Sequence, residues 1–140
     1  MTAEFLQNLF QSVREFFNAI NVGDAACQED GAVKIADPVV AWIEVNSPSS
    51  KMRFRFSVER SAANIMIARW VGTVEPDPEI AVDFVRETSN QVVGGFRSKY
   101  LKGYKLGLPQ NGSDFLFPGA RLTCLLARTS VGPMILEVLE

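Results

Sequence analysis

Glu87 and Asn90 stand three residues apart within a run that reads Asp83-x-x-x-Glu87-x-x-Asn90-x-x-x-Gly94. On a helix, spacings of three and four bring these positions into one stripe, so a carboxylate and a carboxamide project side by side from a rigid element. The carboxylate is an acceptor for cations, and the carboxamide carries an acceptor oxygen and a donor NH2 on one short stem. Arg86 and Arg97 flank the stripe and read, by themselves, as ordinary solvated charges. Gly94 lies one turn beyond Asn90. A glycine costs a helix interior about 1 kcal/mol relative to alanine. An exposed polar face needs no small residue for packing, so Gly94 points to something approaching the backbone closely there.

Little other chemistry is open to the chain. It contains no histidine, which excludes a Ser-His-Asp or Cys-His pair, a His-ligated zinc and a His phospho-carrier. The two cysteines, Cys27 and Cys124, match no metal or redox spacing and read as small apolar fillers in a reducing compartment, with a Cys27–Cys124 disulfide as the lesser alternative. No metal site is expected. A second Glu–Asn pair at the same spacing, Glu15 and Asn18, sits almost opposite the centre of a Phe-rich helix face with no glycine beside it, which favours a plain solvated face. Taken alone, Glu87 and Asn90 are open to the same plain reading, and the pattern needs independent support.

The 140 residues fit one domain, 1–140, with 47% apolar and 21% charged residues, a composition that builds an ordinary core without metals or disulfides. The net charge of −2 and a pI near 5.2 offer no positive field for nucleic acid. The first residues show no basic region before an apolar run, and no window approaches the roughly 20 apolar residues that span a bilayer. A cytoplasmic protein, bound neither to nucleic acid nor to membrane, is expected.

The elements that must position the stripe are legible as patterns. Phe5, Leu6, Leu9, Phe10, Val13, Phe16, Phe17 and Ile20 fall within about 140° of arc at helical spacing, predicting a core-facing helix that ends near Gly23. A short strand is expected at 33–36. The β-rich runs 39–46 and 52–58, separated by Ser47-Pro48-Ser49-Ser50, predict an antiparallel hairpin. Ser61 is a candidate cap for a short helix stopped by Gly72. Pro76-Asp77-Pro78-Glu79 gives the clearest helix start, with Asp77 as cap and Pro78 at the first helical position of a helix over 78–101. Its wide apolar arc, Ile80, Ala81, Phe84, Val85, Val92, Phe96 and Tyr100, implies contact with both a sheet and a neighbouring helix. Strands are expected at 104–108, 120–127 and 134–139. The fold class is therefore α+β: a largely antiparallel β-sheet with long α-helices packed on it.

Asp83, Glu87, Asn90 and Gly94, followed by Lys99, Leu101, the Gly103 turn and Leu108-Pro109, resemble the signature of the CheC, CheX and FliY family of chemotaxis phosphatases. The Phe-rich opening helix, the hairpin and the run from Ser61 to Gly72 leading into the motif helix resemble CheX-like proteins most. The gap from Asn90 to Pro109 is shorter than the usual family gap, and Gly95 doubles Gly94. CheC-like members carry two such sites. Glu15 and Asn18 resemble a relic of the first, with Gln11 where its leading Asp or Ser would stand.

The resemblance implies a CheC/CheX-like fold and hydrolysis of the aspartyl phosphate on a response regulator such as CheY. The receiver domain would bring its own Mg²⁺ and Lys, so this chain would bind no cofactor itself. Asn90 would hold the attacking water in line with phosphorus and Glu87 would pair with the receiver's Lys. Asp83, Arg86, Gly94 and Arg97 would serve partner binding. CheX-like proteins also form dimers through their sheets, which makes 134–139 a candidate pairing edge, unless that strand packs within the monomer. Two alternatives stay open: a non-catalytic scaffold like the flagellar switch proteins, and a binding module for an unrelated protein.

Overall fold

Thr2 opens the first helix by accepting a hydrogen bond from the Phe5 N–H at 3.1 Å, satisfying one of the donors that a helix start leaves free. The resulting α1 (Ala3–Ala19) buries Leu9, Phe10, Val13, Phe16 and Phe17. The chain leaves it through Asn21 and Gly23, both at positive φ, and enters β1 (Ala26–Glu29). This computed structural model describes every residue except Ala32, Thr73, Val74 and Pro76.

The hairpin forms as its alternation requires. In β2 (Pro38–Ser47) and β3 (Ser50–Glu59), Val39, Ala41, Ile43 and Val45 face Val58, Phe56, Phe54 and Met52 across the ladder, and all eight are buried in the main core. Pro48 and Ser49 close the turn between Ser47 and Ser50. After α2 (Arg60–Val71) and α3 (Pro78–Tyr100) come β4 (Lys105–Leu106), β5 (Leu122–Arg128) and β6 (Pro133–Leu139). The six strands order as β1-β5-β6-β3-β2-β4, and every pairing is antiparallel. The α+β reading therefore holds.

Helix α3 packs on β2 and β3, with α1 and α2 alongside it, as its wide apolar arc implied. Phe96 meets Phe5 of α1 edge-on at 4.9 Å and Phe54 of β3 at 6.3 Å. Ile80 and Tyr100, at the margins of that arc, remain exposed, while Thr88 and Ser89 are buried. Both buried hydroxyls donate back along the helix, to the Phe84 and Arg86 carbonyls, and so cost little desolvation. The opposite face of the sheet is covered by loop: Phe115 is fully buried with Trp42 and Leu139, and the Arg53 and Arg55 guanidiniums lie over the Trp42 and Phe115 rings.

Several local expectations are corrected. Residues 33–36 form no strand; Val33 and Ile35 instead line a recess with Ser57 and Ile135, so their alternation reflects a loop seated on the sheet. Ser61 does not cap α2. The cap is Glu59, which makes no side-chain bond to the helix and instead accepts from the Ser61 hydroxyl. Strand 104–108 shrinks to two residues, with a separate bridge between Trp42 and Gln110. The run 134–139 is not an edge, because β6 pairs with β5 on one side and β3 on the other. Burial of Met134, Leu136 and Val138 in the helix-side core, and of Leu139 in the opposite cluster, fits a strand covered on both faces. The start of α3 is as read: Asp77 accepts from the Glu79 N–H at 2.8 Å, ahead of Pro78. Pro76 lies outside the described residues.

The two thiols are free. Cys27 packs against the helix-side core, whereas Cys124 lies in the recess on the other face with Ser57 and Glu137. The sheet separates them, so no bridge forms without moving backbone.

Candidate functional site

The ridge of α3 is rigid because its opposite side is anchored. Phe84, Val85, Thr88, Ser89, Val92, Val93 and Phe96 are all buried, which fixes the rotation of the helix and turns Asp83, Glu87 and Asn90 away from the core. Asp83 is open to water, and Glu87 and Asn90 are half-buried.

Glu87 accepts a hydrogen bond on Oε1 from Gln91 Nε2 at 2.8 Å. That bond orients the carboxylate while occupying one oxygen, and the second retains its lone pairs for a cation. Asn90 makes no side-chain hydrogen bond to any described residue. A half-buried amide with both functions free, beside an oriented carboxylate, can bind an external polar molecule without first breaking an internal bond.

The flanking residues divide. Arg86 reaches Asp83 at 3.9 Å, and its Nη2 points at the Pro109 carbonyl at 3.5 Å, so one cation ties the ridge to the loop that follows β4. Arg97 donates from Nη1 to the Tyr104 carbonyl at 3.2 Å. Its Nε is buried with no partner among the described residues. A Cβ placed on Gly94 would sit 3.5 Å from Leu106 Cδ2, which is ordinary contact distance, so what lies against this position is the chain's own β4. The structure thus gathers Asp83, Arg86, Glu87 and Asn90 at the open part of the ridge and sets Gly94 and Arg97 against the segment returning to the sheet.

Glu15 and Asn18 are exposed on α1. Glu15 pairs with Lys99 of α3 at 3.2 Å and accepts from Gln11, so this carboxylate braces two helices. Two features escaped sequence reasoning. Gln91 reads as an ordinary exposed position, although its spacing of four from Glu87 was the available signal. The apolar cleft beside the ridge, walled by Trp70 and Ile80, arises from α2 meeting α3, a contact no local pattern specifies.

Among the described residues no group of three or more His, Cys, Asp or Glu side chains is placed to hold a metal, and no helix is long and apolar enough to cross a membrane.

No protein-family model matches the sequence, and no curated protein does. Solved structures do match. A CheC-like superfamily protein from Shewanella sp. PV-4 superposes with a TM-score of 0.80 at 14% identity, covering 99% of this chain and 98% of that one. The chemotaxis protein CheX from Vibrio vulnificus gives 0.76 at 15% identity, over 99% and 97%. A chain of the CheX–CheY–BeF3–Mg complex from Borrelia burgdorferi gives 0.70 at 15%, over 97% and 94%. The fold is thus the CheC/CheX-like one over the whole chain.

Proposed function

We propose that this chain is a phosphatase acting on the aspartyl phosphate of a CheY-type response regulator. One observation carries the reading: Glu87 and Asn90 stand adjacent on the water-facing ridge of a rigid helix, the carboxylate oriented by Gln91 and the amide without an internal partner. The CheC/CheX-like fold supports it, and so does the structural likeness to a chain from a complex of CheX with CheY.

An acyl phosphate is already activated, so an oriented nucleophile is the component a second protein can add. Docked on the receiver, the Asn90 carboxamide oxygen accepts a hydrogen bond from a water and sets its oxygen in line with phosphorus. The water oxygen bonds to phosphorus and the bond from phosphorus to the aspartyl oxygen breaks. Inorganic phosphate and a free carboxylate remain, and the water's proton passes to the phosphate or to solvent. Glu87 pairs with the receiver's active-site lysine and fixes the register of docking. Magnesium is a ligand of the receiver, and this chain supplies none of its own.

Asn90 needs no shifted ionisation for this role, which suits a protein without histidine. Positioning of this kind is worth several kcal/mol when the geometry is held. The test is the decay of a phosphorylated CheY-type receiver with and without the protein. Acceleration by the natural chain, lowered about a hundredfold or more in Asn90→Ala, is the expected result. Unchanged decay beside measurable binding would make the chain a scaffold.

A further inference from the structure

Between α2 and the first half of α3 lies a cleft of about 290 Å³ walled by Trp70, Val71, Ile80 and Phe84, with the carboxyl groups of Asp83 and Glu87 at its rim. Val71 is 62% exposed, Ile80 39% and Trp70 37%, so three large apolar side chains on two adjoining helices open to water at one place. A concentration of this kind rimmed by polar groups marks a contact surface rather than scattered exposure. Trp70 is fixed in its wall by edge contacts to Phe16 at 6.3 Å and Phe84 at 6.0 Å, so the cleft is formed before anything enters it.

The charge at the rim says what enters. Both rim side chains are acidic, and among the described residues no cationic side chain lines the cleft. Among the described residues Asp83 has only the 3.9 Å pair with Arg86, its side chain 75% exposed, and Glu87 is held by a neutral amide. The complementary occupant is an apolar side chain with a cation beside it. Glu87 is shared by this cleft and the catalytic ridge. We infer that the cleft between α2 and α3 takes an apolar side chain of the phosphorylated receiver that neighbours, on the receiver's surface, the lysine paired with Glu87. The inference rests on the receiver being the partner, and it adds an anchor that sets affinity separately from the amide that sets rate.

The test uses the full chain carrying 5-fluorotryptophan and a CheY-type receiver, phosphorylated for kinetics and beryllofluoride-activated for binding. Trp42 is 6% exposed, in the cluster on the far face of the sheet, so the two fluorine resonances separate the cleft from the rest of the molecule. The expected result is that the Trp70 resonance shifts on adding the activated receiver while Trp42 does not. Val71→Ser with Ile80→Ser, both at water-exposed positions, raises KM about tenfold and leaves kcat within about twofold, whereas Asn90→Ala lowers kcat and leaves KM. An unmoved Trp70 resonance and unchanged KM in the double variant, with Asn90→Ala still inactive, overturn the anchor and leave the phosphatase reading standing. If the natural chain does not hasten phosphate loss, the phosphatase reading fails. The anchor then stands if the receiver still shifts Trp70 and the double variant abolishes the shift, and it falls otherwise.

Discussion

At the scale of single residues, the proposed function divides the work of the ridge between charge and amide chemistry. In that proposal Glu87 acts through its charge, so Glu87→Gln keeps shape and the Gln91 contact but removes the proposed attraction for a lysine. Receiver titrations should show KM rising about tenfold and losing salt sensitivity, with kcat little changed. An unchanged salt dependence would place the lysine elsewhere. The thiols give a second residue-scale expectation. Burial pushes the Cys27 thiol above the ordinary value of 9.0, against a smaller lowering by Arg14. Burial likewise raises Cys124, reinforced by Glu137 and opposed by Arg55. In the folded chain both therefore stay protonated to higher pH than in the unfolded chain. Iodoacetamide at pH 8 to 9 should label both more slowly than after unfolding in urea. By linkage the stabilisation associated with the protonated thiols is present below pH 9 and is lost as pH rises through their folded values.

At the scale of elements, α3 is where sequence and structure agree best, because its signals are local. Asp77, Pro78 and Glu79 specify its start within three residues, and the helical period of Phe84, Val92 and Phe96 specifies which side is buried. The orientation of the candidate site was therefore legible without knowing what α3 packs on. Asp77→Ala removes the cap bond to Glu79 and should cost about 1 kcal/mol of stability in urea unfolding. The ridge should keep its activity under native conditions, since the cap lies a turn and more before Asp83. The hairpin was equally legible, because Ser47-Pro48-Ser49-Ser50 closes it between two runs of matching alternation. The cap of α2 was not, because Ser61 and Glu59 compete for one local role, and the side-chain bond between them leaves the helix start without a side-chain cap.

At the scale of the molecule, what escaped the sequence is long-range. Strand β1 exists only because β5, about a hundred residues later, offers a partner edge: Cys27 lies opposite Ala127. The central place of β6 depends on β5 and β3 both reaching it, although Met134, Leu136 and Val138 on one face and Ile135 and Leu139, either side of Glu137, on the other put apolar residues on both faces, as a strand covered twice requires. The same nonlocal packing brings the Leu106 side chain against Gly94 and the Pro109 carbonyl towards Arg86. That Asp83, Glu87 and Asn90 share a face turned from the core could be read from a spacing, and the surroundings of that face could not.

In the proposed function the amide of Asn90 acts on a bound partner, and single-turnover decay separates that act from binding. With the phosphorylated receiver held under saturating amounts of protein, the natural chain should hasten phosphate loss, and Asn90→Ala, bound equally tightly, should return it close to the receiver's own rate. Equal acceleration by both proteins at saturation would remove Asn90 from the reaction.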